Sequence, residues 1–230
     1  MAKILANDGI SASGVEALKS YGYEVSTTNV AQEQLENHIN SNEIDVLLVR
    51  SATTVRKDLI DACPSLKIIG RGGVGMDNID VDYAHEKGLH VINTPAASSA
   101  SVAELVFAHL YGGVRYLFDA NRQMPLEGDT KFKVLKKNYA GGSELRGKTM
   151  GVIGFGRIGQ ETAKIALGVG MNVVAHDPFM DKAELKVVLG NGATVDVSIV
   201  MDSFETVLKE ADFISLHVPA QDKPVIGQKE

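Results

Sequence analysis

The sequence contains no tryptophan and a single cysteine, Cys63, so no disulfide can form within the chain. That suits a reducing cytoplasm, the location expected here. An excess of positive charge is also missing: 23 Lys and Arg stand against 29 Asp and Glu, a net charge of -6. This argues against a general nucleic-acid binder, while leaving room for a local basic pocket that takes a small anion. No apolar run approaches membrane-spanning length, so no membrane partner is expected. The first residues, Met1 to Asp8, read as a strand and not as a signal peptide. Neither repeats nor low-complexity segments occur. What is present is an ordinary soluble composition, 44% hydrophobic and 23% charged, over 230 residues, enough for one large domain or two modest ones.

Short apolar runs alternate with helical patterns from the start. Strands are expected at Ile4–Ala6, Tyr23–Thr27, Ile44–Arg50, Leu66–Gly70 and Leu89–Asn93. Between them lie helical patterns around Val15 and Leu18, at Ala31–Ile39, at Leu59–Ala62 and at Val81–Lys87, with Gly22, Pro64 and Gly88 as stops. The third strand, Ile44–Arg50, is nearly all apolar, as expected of a strand covered on both faces, and the strand–helix alternation gives the fold class as α/β with parallel sheets.

Pro95 closes the fifth strand, and Ser98 or Ser99 can cap the next helix. That helix is long, expected from about Ser101 to Phe118, and weakened or bent by Gly112 and Gly113. His109, on its apolar side, reads as core or interface. A domain boundary is placed near residue 97, giving domains 1–97 and 98–230. The stretch 121–147 is polar and glycine-containing, with a lysine-rich run from Lys131 to Lys137, and is expected to be a solvated surface connection. Further on, Leu185–Leu189 and Ala193–Val200 flank Gly190-Asn191-Gly192 and predict a β-hairpin. Ser203 predicts the cap of a short helix to Lys209. Asp212–Pro219 predicts another parallel-type strand.

The most informative stretch is Gly151 to Gly159. Gly154, Gly156 and Gly159 have the G-x-G-x-x-G spacing, after an apolar strand (Lys148–Ile153) and before a helical pattern (Ile158–Gly168). The first glycine permits the tight turn, the second lets backbone approach a pyrophosphate, and the third lets helix and sheet pack closely. The helix start offers free N–H groups and the positive dipole end to phosphates. A second apolar run, Met171–His176, ends at Asp177, placed as the carboxylate that meets adenosine ribose hydroxyls. That acid favours NAD over NADP, whose 2′-phosphate it would repel.

Several stretches together resemble the D-isomer-specific 2-hydroxyacid dehydrogenases. They are Val49–Thr53, Gly70–Asp80, Asn93-Thr94-Pro95, Ser101–Leu105, Leu145–Thr149 running into the glycine motif, and Ser215–Pro219, in the family's order. The resemblance implies two Rossmann-like domains, the first flavodoxin-like and substrate-binding, the second dinucleotide-binding and truncated. The active site would lie between them. It implies that Arg50 and Arg71 hold a substrate phosphate, and that the Gly72–Gly75 loop (Gly73, Val74 and Gly75 above all) holds the substrate carboxylate through its amides. Gly154, Phe155, Gly156, Arg157, Ile158 and Gly159 would face the pyrophosphate and Asp177 the ribose. His217, Val218 and Pro219 would flank a ribose, and Val102 would lie near the nicotinamide.

The activity implied is NAD-dependent oxidation of a D-2-hydroxy acid, D-3-phosphoglycerate in particular, in serine biosynthesis. Glyoxylate or hydroxypyruvate reduction within the same family is an alternative, as is a non-catalytic NAD-sensing scaffold. The family's catalytic Arg, Glu and His belong beyond the Asp212–Val218 strand. This chain is therefore expected to be an N-terminal fragment, inactive by itself, with no catalytic residue and no metal site. A homodimer through residues 101–140 is also implied.

Overall fold

Short apolar runs flanked by helices give parallel strands, and the computed structural model builds two parallel sheets, buried at their centres and partly exposed at His90–Asn93 and Phe213–Leu216. It describes residues 1–219 and 224–226. Contacts divide the chain into Met1–Ser98 and Ser99–Glu230.

The first unit runs β1 (Lys3–Ala6), α1 (Ala12–Ser20), β2 (Glu24–Ser26), α2 (Gln32–Asn42), β3 (Val46–Val49), α3 (Lys57–Ala62), β4 (Ile68–Arg71), α4 (Val81–Glu86) and β5 (His90–Asn93). Its five strands are parallel in the order β2-β1-β3-β4-β5. The register sets Leu5 beside Leu47, Leu47 beside Ile69 and Ile69 beside Val91. This row packs with Leu35 and Ile39 of α2 and Leu59 and Ile60 of α3 in one buried cluster. Each such side chain contributes about 1.5–3 kcal/mol when fully buried. The opposite face carries Leu48, Gly70 and Ile92, and with α1 it lines a concavity of about 640 Å³. Strand order reverses between β1 and β3, where open parallel sheets present ligand sites at the strands' C-terminal ends.

The second unit runs α5 (Ser99–Val114), α6 (Leu117–Asn138), a 3-10 turn (Tyr139–Gly141), β6 (Thr149–Ile153), α7 (Arg157–Gly168), β7 (Asn172–His176), β8 (Lys182–Val188), β9 (Thr194–Val200), α8 (Phe204–Glu210) and β10 (Phe213–Leu216). Three parallel strands lie in the order β10-β6-β7. The expected hairpin forms from β8 and β9, with register Leu185 to Val197 and Val187 to Val195. Its inner residues Ala183, Leu185 and Ile199 join the core of Met150, Val152, Phe155, Ala163 and Ala166. Ser203 caps α8, its hydroxyl accepting from the Thr206 amide.

One expectation fails and another is refined in the same region. The helix does not continue from Ser101 to Phe118: it ends at Val114, and Tyr116 takes a left-handed conformation at φ 54°. Gly112 stays helical and buried, and its missing side chain makes room for the Phe118 ring, which lies 2.9 Å from where a Cβ would stand. The chain therefore folds back one turn after the glycines instead of bending at them. Second, residues 121–147 are largely exposed, as expected of a solvated surface stretch, but most of them are helical and belong to the 22-residue α6. Its pattern is masked by Pro125 within the helix and by a break in helical geometry at Lys131. The lysine run is partly paired, Lys131 with Glu127 at 3.0 Å.

Candidate functional site

In the second unit the ends of β6, β7 and β10 meet around the glycine turn. Gly154 has φ +88°, and a Cβ there would stand 2.7 Å from the His217 carbonyl oxygen. The turn is thus pressed against the end of β10, and only glycine fits. Gly159 is closer still: its Cβ would lie 2.2 Å from the Gly154 oxygen. Gly156, the residue before α7, is different. It is exposed, and its Cβ would meet nothing within 4 Å. The first turn of α7 leaves its leading N–H groups, beginning with Arg157 and Ile158, without helix partners beside this open space. That is the cradle an incoming pyrophosphate needs.

Asp177, following β7, reaches into this turn with its carboxylate. One carboxylate oxygen accepts from the Phe155 amide at 2.8 Å, and the other from the Phe179 amide at 2.9 Å. The acid at the end of β7 is therefore tied directly to the middle of the glycine motif, and each oxygen keeps a lone pair for an outside hydroxyl. Phe155 itself is core: its ring is fully buried and its amide is spent on Asp177. His217 turns its ring inward, with Nε2 3.2 Å from the Thr162 hydroxyl and 3.0 Å from that of Ser215. Burial pushes its pKa below the usual histidine value. Its backbone, with Val218, borders Gly154. Pro219 follows, exposed, and Val102 stands part-exposed near the start of α5, a helix that packs along α7.

In the first unit Arg50 follows β3 and Arg71 ends β4, side by side because Val49 pairs with Arg71. Arg71 is mostly buried; its guanidinium donates to the carbonyls of Gly75 and Arg50 and lies 4.0 Å from Asp77. The loop Gly72–Gly75 folds around it and is braced from outside, where Asn93 donates to the Val74 carbonyl at 2.7 Å. Asp8, after β1, accepts from the Arg50 and Thr53 amides and from the Thr53 hydroxyl. Burial opposes its charge, but the Thr53 hydroxyl and the backbone amides outweigh that and hold its carboxyl below the ordinary value. The Gly72 and Gly73 amides are spent on the Val49 and Arg71 carbonyls, so two cations with the Val74–Gly75 end of the loop gather at one sheet end, an arrangement suited to a small anion.

Sequence reasoning passed over Phe179. It stands two residues past Asp177, is 94% exposed, and gives its amide to that carboxylate. A large aromatic side chain left in water beside a candidate nucleotide site is the signal that could have found it. Among the described residues no cluster of His, Cys, Asp and Glu is placed to hold a metal, and no helix is long and apolar enough to cross a membrane.

A sequence model of the D-isomer specific 2-hydroxyacid dehydrogenase catalytic domain matches residues 4–215. A hydroxypyruvate reductase of Thermotoga maritima is 46% identical over 85% of this chain and 58% of its own length. A D-3-phosphoglycerate dehydrogenase of Methanocaldococcus jannaschii is 40% identical over the whole chain and 41% of its own length. The chain thus spans about half, or less, of these relatives. Among solved structures, a cofactor (NAD+) bound 3-phosphoglycerate dehydrogenase of Entamoeba histolytica aligns with a TM-score of 0.64 at 28% identity, over 96% of this chain and 64% of that one.

Proposed function

Because the chain belongs to the D-isomer-specific 2-hydroxyacid dehydrogenases, we propose that it binds NAD through its second unit and a phosphorylated D-2-hydroxy acid through its first. The reaction is oxidation of D-3-phosphoglycerate, a step of serine biosynthesis. The observation that carries the cofactor reading is the Asp177 carboxylate bound to the Phe155 amide inside the glycine turn. From there it reaches the adenosine ribose hydroxyls, while the amides opening α7 hold the pyrophosphate. Phe179 covers the adenine, and Val102, His217, Val218 and Pro219 flank the riboses and nicotinamide. The nicotinamide, when bound, supplies the hydride acceptor. Arg50, Arg71 and the Val74 and Gly75 amides bind and orient the substrate's anionic ends, with Gly73 shaping the loop through its own bond to the Arg71 carbonyl; the proton transfer is assigned to none of these residues.

Hydroxypyruvate reduction is the second reading, favoured by the 46% identity to the Thermotoga maritima enzyme. The protein is further proposed to be a cytoplasmic homodimer. Leu126 at 80% exposure, with Phe118, Phe132 and Val134, puts apolar side chains of the otherwise polar α6 into solvent, where a subunit contact would cover them. Cys63 is buried, with its thiol pushed up to about 11 by that burial, so it stays inert in a reducing compartment.

Asp177→Asn tests the cofactor reading. The amide keeps one acceptor for Phe155 but loses the charge and one ribose bond. NAD affinity is expected to fall roughly tenfold, by loss of a charge-assisted hydrogen bond. The NAD-to-NADP affinity ratio should shrink as well, since nothing then repels a 2′-phosphate. Fluorescence titration with both reduced cofactors measures this; an unchanged ratio and affinity would place the ribose elsewhere.

A further inference from the structure

Arg50 projects from a four-residue turn, Arg50–Thr53, that the strand itself does not hold. The turn is gripped from two sides by residues distant in sequence. On the amide side, Asp8 accepts from the Arg50 N–H at 2.6 Å and the Thr53 N–H at 3.2 Å, and from the Thr53 hydroxyl at 2.5 Å. On the carbonyl side, the Asn78 side-chain amide donates to the Arg50 oxygen at 2.8 Å and to the Thr53 oxygen at 2.7 Å. Asn78 is 5% exposed and Thr53 4%. Asn7 completes the set, donating to the Thr53 hydroxyl at 2.9 Å while bonding both the carbonyl and the amide of Val30.

The placement of these groups has a consequence for anion binding. Asp8 follows β1 and Arg50 follows β3, so they face each other across the point where strand order reverses. Asn78 comes from the loop after β4, the same loop that wraps Arg71. The Arg50 carbonyl that Asn78 holds also accepts from Arg71 Nε, at 3.4 Å. One backbone oxygen therefore ties the Arg71 guanidinium to the backbone from which Arg50 projects. A carboxylate beside an anion site would ordinarily repel its ligand; three donors already converge on Asp8 and blunt that repulsion.

We propose that Asp8 and Asn78 are positioning residues for substrate recognition: they clamp the Arg50–Thr53 turn so that the Arg50 and Arg71 guanidiniums are held as one preformed fork for the anionic end of the substrate. This rests on the reading of Arg50 and Arg71 as the anion-binding pair. Preorganisation of this kind acts on affinity, because a free turn must be ordered again each time the ligand binds.

The test tracks the Nε–Hε resonances of Arg50 and Arg71 by NMR in the 230-residue chain as D-3-phosphoglycerate is added, with inorganic phosphate as a second probe. Asn78→Ala and Asp8→Ala are each expected to weaken D-3-phosphoglycerate binding on the order of tenfold, a loss typical of one ordered polar contact. NAD binding in the other unit should be unchanged in both. Asp8→Asn, which keeps an acceptor oxygen, should recover most of the loss seen in Asp8→Ala; a merely structural role would not produce rescue of ligand affinity at constant melting temperature. Asn78 is deeply buried and its replacement could unfold the unit, so the half-buried Asp8 series carries the test independently. If Asp8→Ala keeps its fold and binds D-3-phosphoglycerate as the parent does, while Arg50→Ala and Arg71→Ala lose binding, the clamp is wrong and the anion site stands. If the arginine variants also bind normally, the anion site itself is wrong, and the clamp falls with it.

Discussion

Gly156→Ala is expected to weaken NAD binding roughly 100-fold at little cost in stability, whereas Gly159→Ala is expected to lose both binding and stability. The two glycines sit three residues apart in one motif, yet the space around them differs. A methyl on Gly159 would stand 2.2 Å from the Gly154 oxygen, a backbone atom that cannot rotate away. The helix and the turn would have to separate, and overpacking of that kind costs about 3 kcal/mol or more. A methyl on Gly156 meets nothing within 4 Å, and the residue's φ of -68° suits any amino acid. The fold has no reason to object. The ligand does, because that open space is where the pyrophosphate must approach the backbone. Two or more charge-assisted hydrogen bonds are then lost, which predicts an affinity decrease of roughly 100-fold. Thermal melts beside NAD titrations of the two variants separate these outcomes. A Gly156→Ala chain that binds NAD normally would remove the pyrophosphate from this turn.

The second large effect is expected at the other unit. Replacing Arg50 and Arg71 together by alanine should raise the Michaelis constant of an active enzyme containing this chain for D-3-phosphoglycerate by about 100-fold or more, the loss of two guanidinium contacts. Glyoxylate, which carries no phosphate, should be affected far less. Equal losses for both substrates would mean that the arginines hold the carboxylate, or the fold, and not the phosphate. Hydroxypyruvate provides the intermediate case and separates the two readings of substrate. Lysine at either position should not restore full affinity, because a point charge does not reproduce a planar fork.

The strands' positions, the glycine turn and the acid after β7 were legible because each rests on local pattern; the order of strands in the sheets was not, because it is set by tertiary pairing. Apolar runs bounded by Gly22, Pro64 and Gly88 mark the strands, and the acid at the end of Met171–His176 is placed by chain length alone. The hairpin was legible too, from two apolar runs around Gly190-Asn191-Gly192, though β8 begins three residues earlier than its apolar core suggests, at Lys182. The helix α6 was not, because Pro125, Gly128 and four lysines make its composition that of a loop. Only Leu135 of its residues is buried, so the periodic stripe that betrays a helix is missing. The break at Tyr116 was invisible for a different reason: a left-handed tyrosine has no sequence signature, and the Phe118 ring that needs Gly112 is a tertiary contact. At the candidate site the same division holds. Arg50 and Arg71 stand out by residue type, while Asp8 and Asn78 act over separations of 42 and 28 residues, and nothing local announces them.

Isothermal titration of NAD and NADH into the 230-residue chain tests the central claim most directly. Saturable heat at one site per chain is expected, with affinity reduced by Asp177→Asn and reduced further by Gly156→Ala. A folded chain that gives no heat with either cofactor would contradict the assignment of the glycine turn and Asp177 as a dinucleotide site.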